Sequence, residues 1–278
     1  MKELHVYRGE RFTSRFFLGG KEHIQRGSAV LIHGLYENCE VWNGLAERLA
    51  ERWCVLAVDV LGHNPDARLE MGTNISLYDM ACEAYAIARS VGIERSVLVG
   101  HSMGGAVAMQ WLKHFSESVA GICLFHATPF ADTPEARENR AIAIAAIQRG
   151  EKDAVIEGLL KRVLPVQAEH TTLSFLPSLR LLLQRVSEGG MIAALEAMRQ
   201  RDDTSSVLQD CTVPVLLLLG KADSIVPLEP MMHLALKLRR ALICLLDGVG
   251  HMGMLEAPYE CEAAIEGLLR MSYRPEGA

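Results

Sequence analysis

Short unbroken apolar runs alternate with amphipathic stretches over the first half of the chain. Residues 28–32, 53–58, 96–99 and 119–125 are apolar at successive positions, which predicts strands buried on both faces. Between them, 41–51, 76–91 and 106–115 place apolar residues at helical spacing. Ahead of them, 3–8 and 12–18 read as a hairpin around Gly9-Glu10. Strand–helix alternation of this kind implies right-handed crossovers and a mostly parallel sheet.

The alternation stops at Thr128. From there to Ser206 the pattern is helical, with candidate helices at 134–149, 152–163 and 190–201. Thr133-Pro134 supplies a helix start. The sheet pattern then resumes: strand 213–219, helix 230–240, strand 241–246 and a last helix at 258–270. The expected architecture is α/β, a mostly parallel central sheet flanked by helices. Residues 1–127 and 207–278 would form its core, and 128–206 a helical cap over the C-terminal edge of the sheet.

The chain has 278 residues, half of them apolar, enough for one large domain. A net charge of -6 offers no basic footprint for nucleic acid. No run reaches the roughly 18 apolar residues that a bilayer span needs. Residues 1–5 lack an apolar signal core, and the seven cysteines show no Cys-X-X-Cys pair. Reduced thiols and a cytoplasmic location are the expectation. Oligomeric state is left open.

The chemistry concentrates at strand ends. Gly100-His101-Ser102-Met103-Gly104 lies between an apolar run and a helical one. A serine in Gly-X-Ser-X-Gly at such a junction has the pattern of a nucleophile elbow, a turn so tight that its neighbours must be small. A serine hydroxyl needs a base and a group to orient that base. Asp223 follows the run that ends at Leu219, and His251 follows the run that ends at Leu246. Ser102, Asp223 and His251 therefore each stand beyond a predicted strand, where open parallel sheets build their sites.

With His33-Gly34, Asp59-Val60-Leu61-Gly62-His63, the elbow, Asp223 with Val226-Pro227, and Gly250-His251 with Glu256-Ala257-Pro258, the chain resembles the α/β-hydrolase superfamily. The likeness is to its capped branch of esterase-like and C–C-bond-hydrolase-like enzymes. It implies Ser102 as nucleophile, His251 as base and Asp223 as the orienting acid. It implies an oxyanion hole from the backbone N–H groups of Leu35 and Met103, and no cofactor or metal. The expected substrate is a small or medium acyl compound, a carboxylic ester first and a diketone-like C–C substrate second. A ligand receptor that keeps the triad with vestigial turnover is the alternative of another class. Serine in place of aspartate disfavours dehalogenase and epoxide-hydrolase chemistry, and Leu35 stands where perhydrolase-like relatives carry proline. The Gly62-His63-Asn64-Pro65-Asp66 loop departs from the family's Gly-X-Gly-X-Ser.

Other residues compete for roles. Asp59 matches a structural aspartate, and Asp132 is a rival acid seven residues past a strand. His126 sits at the hinge of the insert as a possible substrate contact, with a polar hinge residue as the plainer reading. His33, His63, His101, His126 and His251 share one sheet edge, but no metal-type spacing links them. In the insert, 179–183 and 191–198 are the candidates to face a pocket.

Overall fold

A computed structural model describes residues 4–9, 12–164 and 174–274. Eight strands form one sheet in the order β1-β2-β4-β3-β5-β6-β7-β8. β1 (His5–Arg8) and β2 (Thr13–Gly19) pair antiparallel, and β2 pairs antiparallel with β4 (Cys54–Val58). From there the sheet is parallel through β3 (Ser28–Ile32), β5 (Ser96–His101), β6 (Val119–Phe125), β7 (Val215–Gly220) and β8 (Ala241–Leu246). Residue 3 and Glu10 of the expected hairpin lie outside the described residues.

Period-two geometry divides each central strand between two cores. Val30, Ile32 and Leu98 point to one layer, with α2 (Leu77–Ser90) and α3 (Met103–His114) packed there. Ala29, Leu31, Val97 and Val99 point to the other, against α1 (Asn43–Ala50) and the C-terminal helix. Burial on both faces explains why these strands read as continuous apolar runs.

Several boundaries differ from the sequence reading. The helix expected at 41–51 begins at Asn43, after a 3-10 turn over Cys39–Trp42 in which Asn38 Oδ1 accepts from the N–H of Glu40. The strand expected from residue 213 begins at Val215, because Pro214 has no N–H to give the ladder. The helix expected at 230–240 runs Leu228–Ala235 and ends in a turn that packs Leu238 on the core.

Between β6 and β7 the described residues are helical: α4 (Pro134–Gln148), α5 (Lys152–Val163), α6 (Leu176–Gln184), α7 (Glu188–Arg199) and α8 (Ser205–Asp210). Thr133 caps α4 through Oγ1 and Ser187 caps α7 through Oγ. Residues 165–173 of the stretch expected as a cap lie outside the described residues. Beyond β7 come α9 (Leu228–Ala235), α10 (Gly253–Glu256) and α11 (Pro258–Ser272). Among the described residues no helix is long and apolar enough to cross a membrane.

Candidate active site

The strand order reverses around β3, and the crevice at such a switch opens at the C-terminal ends of the strands. The turn after β5 is sharp there. Ser102 sits at φ 51°, ψ −114°, a conformation that L side chains rarely adopt. Neighbouring glycines make it possible. A Cβ on Gly104 would lie 2.1 Å from the Ile32 carbonyl oxygen, and one on Gly100 would lie 2.3 Å from that of Gly104. Ser102 thereby stands at the head of α3, its N–H bonded to the carbonyl of Phe125 at 3.1 Å.

Asp223 and His251 meet at 2.8 Å through Oδ2 and Nδ1, both almost fully buried. The other oxygen, Oδ1, accepts from the N–H groups of Ile225 (2.8 Å) and Val226 (3.1 Å). His126 completes the shell: its Nδ1 lies 3.1 Å from the same Oδ2 that holds His251. Burial alone would raise the Asp223 carboxyl, but hydrogen bonds from His126 and His251 hold it far below the usual carboxylate range. Burial pushes His126 down to about 4, so this ring is neutral and spends its one proton on Asp223. Its Nε2 is buried with no hydrogen-bond partner among the described residues, closely packed against Gly253.

The main chain of His251 is anchored from both sides. Its N–H donates to the carbonyl of Val163 at the end of α5 (3.0 Å), and Ser224 Oγ donates to the carbonyl of Arg162 (2.8 Å). Its carbonyl accepts from His101 Nε2 (3.0 Å), while His101 Nδ1 meets Glu37 at 3.1 Å. Two acceptors on one ring require two protons, so His101 is an imidazolium paired with Glu37. Burial disfavours that charge, yet Glu37 outweighs it and the His101 pKa is raised. Glu37 also accepts from the N–H of Gly34 (2.7 Å), which braces the loop after β3.

Ser102, Met103, Leu35 and His251 all line one cavity of about 830 Å³. Among the described residues no hydrogen bond joins Ser102 Oγ to His251. In free enzymes such pairs often tighten only with substrate. Nor do the N–H groups of Leu35 and Met103 bond to another group among the described residues.

The remaining candidates are placed elsewhere. His126 does not line the cavity; it lies behind Asp223. Asp132 is paired with Arg140 and Arg201. Asp59 binds Arg15 and the N–H of Cys39. His33 bonds to the Gly34 carbonyl and to the N–H of Val60, inside the scaffold. His126, Asp223 and His251 bring three potential metal-ligand atoms within 4.8 Å of one another. Both imidazoles meet one carboxylate oxygen at hydrogen-bond distance, which accounts for the cluster without an ion. In the helical stretch, Leu179 and Leu183 are core residues, and only Leu195 and Met198 of 191–198 reach the cavity. Most of that wall comes from α4 and α5, including Arg140, Ala143, Val155 and Leu159.

Comparison with known proteins places the chain in a family and a fold. A profile of the alpha/beta hydrolase family matches residues 29–264. An uncharacterized protein of Mycobacterium tuberculosis is 37% identical over 98 residues, 35% of this chain. That match spans only 28% of the relative's length. A pimeloyl-[acyl-carrier protein] methyl ester esterase of Neisseria meningitidis is 29% identical over 231 residues, 81% of this chain and 86% of its own. Among solved structures, a thermophilic esterase from Thermogutta terrifontis superimposes with a TM-score of 0.84 at 23% identity, over 98% of this chain and all (100%) of its own; this likeness is one of fold.

Proposed function

The chain belongs to the alpha/beta hydrolase family, and from that membership we propose that it is a serine hydrolase cleaving the carboxylic ester of a small or medium acyl group. The observation that carries this reading is the convergence on one cavity of a serine in a strained strand-to-helix turn and a histidine bonded at 2.8 Å to a buried aspartate.

In the first step Ser102 Oγ attacks the acyl carbon while His251 Nε2 takes its proton. Asp223 holds the ring by Nδ1, which leaves Nε2 as the acceptor, and stabilises the imidazolium that forms. The oxyanion is received by the N–H groups of Leu35 and Met103, each such donor contributing on the order of 3 kcal/mol to the transition state. His251 then returns the proton to the departing alcohol. Water attacks the acyl-enzyme with His251 again as base, and the acid product leaves. Residues 128–206 act as a cap whose helices α4 and α5 supply apolar walls that exclude water and orient the acyl chain.

A fluorophosphonate probe tests the nucleophile. It should label the wild-type protein and leave Ser102→Ala unlabelled. Turnover of p-nitrophenyl butyrate should fall at least about a thousandfold in a protein that still folds. Equal labelling of the variant would place the nucleophile on another residue.

A further inference from the structure

Apart from Ser102 and His251, the cavity's polar side chains come mostly from α4 and the loop after β3, with Arg162 of α5 beside them in the lining. Tyr36, next to the proposed oxyanion donor Leu35, lines the cavity with only 2% of its surface exposed. Its side chain belongs to the same buried apolar layer as Trp42 and Leu45. A tyrosine so deeply buried ordinarily finds a partner for its O–H, yet among the described residues this hydroxyl has none. Burial raises its pKa, so it is a neutral donor, and the charge acting on it is that of Arg140.

Arg140 lines the same cavity. Nε and Nη2 bond to Asp132, and Nη1 has no hydrogen-bond partner among the described residues. Asp132 is shared, because Arg201 approaches its Oδ1 at 2.9 Å. One buried carboxylate thus faces two guanidiniums, and one positive charge is left over. Asp203 also acts on Arg201, but it is exposed and screened by solvent. Of the acids that line the cavity, Glu37 is taken up by His101 and Gly34, and Glu135 is exposed to solvent. A surplus guanidinium and a phenol without a hydrogen-bond partner among the described residues line one cavity, and together they are the donor set of a carboxylate site.

We propose that the acyl group this cavity accepts carries a carboxylate of its own, received by the Tyr36 hydroxyl and Arg140, so that the substrates are half-esters of dicarboxylic acids. This deepens the ester-hydrolase reading and rests on it. The carboxylate end of the substrate lies along α4, and the scissile ester lies at Ser102.

The test compares kcat/KM for monomethyl adipate and methyl hexanoate, which share a chain length and differ by the carboxylate. The half-esters from succinate to pimelate, each against its neutral counterpart, extend the series. Wild type should prefer a half-ester at least tenfold at its best length. Tyr36→Phe should cut that preference about fivefold or more, and Arg140→Lys about tenfold. A fold defect would lower both substrates and leave the ratio unchanged. Binding to Ser102→Ala protein separates this proposal from the ester reading, since it needs no turnover. Monomethyl adipate should bind it more tightly than methyl hexanoate, and adding Tyr36→Phe should shrink the difference about fivefold. Equal or better use of the neutral ester at every length, or a ratio untouched by both variants, overturns the carboxylate site. If the half-esters bind selectively but are not cleaved, the carboxylate site stands and the ester chemistry falls.

Discussion

Asp223→Asn tests the network most sharply, because this carboxylate serves four donors at once. An asparagine can keep its carbonyl oxygen where Oδ1 stands and still accept from Ile225 and Val226. Its NH2 then faces the Nδ1 atoms of both His251 and His126. Neither ring can remain an Nδ1 donor, so each must carry its proton on Nε2. For His251 this removes the lone pair that would accept the serine proton, a change costing about 10⁴ in kcat in a comparable triad. That loss corresponds to roughly 5 kcal/mol of transition-state stabilisation. For His126 it places an N–H where the buried Nε2 has no partner among the described residues. A buried unpaired donor costs about 1–3 kcal/mol of stability. The variant should therefore lose at least about a thousandfold in kcat/KM and 1–3 kcal/mol in urea unfolding. Adding His126→Leu should recover stability in this background while costing stability in wild type, with a coupling of at least about 1 kcal/mol. Activity within tenfold of wild type, or strict additivity of the two changes, would refute the shared-oxygen arrangement.

The buried histidines set a pH dependence of folding. His33 is pushed down to about 3, and His63 and His126 to about 4, by burial. The unfolded chain takes up protons below about pH 6.5 while the folded chain refuses them, so stability falls with pH by about 2 kcal/mol per histidine at pH 5. His101, whose pKa is raised, works the other way: its stabilisation is fully present below about pH 6.5 and is lost as pH rises through its folded value, so it offsets part of the loss between pH 7 and pH 5. Asp59, Glu83 and Glu256, raised by burial, offset part of the acid loss. Urea unfolding at pH 7 and pH 5 should differ by at least about 3 kcal/mol, and equal stabilities would contradict the neutral buried rings. Gly104→Ala should destabilise by about 1–3 kcal/mol and disable the serine, because the new methyl meets the Ile32 carbonyl. Alanine's better helix propensity, worth about 1 kcal/mol, favours the opposite sign, so a stabilised variant would count against the close approach.

What could be read from the chain follows how local each signal is. The elbow was legible because its glycines answer to backbone contacts within a few residues of Ser102 and to the adjacent strand β3. The order Ser102, Asp223, His251 was legible because each follows an apolar run. The partnership of His126 with Asp223 was not, since 97 residues separate them and only the sheet brings them together. The lining of the cavity was hidden for another reason. Helical periodicity shows that α6 has an apolar face but not which neighbour it meets, and Leu179 and Leu183 turned toward the core. Tyr36 carried no pattern at all: a hydroxyl that finds no partner among the described residues is visible only after the loop that follows β3 has been folded.

The bonds from His251 N–H to Val163 and from Ser224 to Arg162 have a consequence for anyone who would graft one substrate preference onto another scaffold. Residues 128–206 invite replacement as a cassette, with junctions at the ends of the sheet strands. Such an exchange would also remove the two carbonyls to which Ser224 and His251 bond. A foreign cassette must bring its own acceptors to the same two points, or the junction must be moved so that 162–163 stay with the host. Chimeras that ignore this should bind new ligands yet turn them over poorly, and restoring the tail of α5 should be the repair to try before redesigning the pocket.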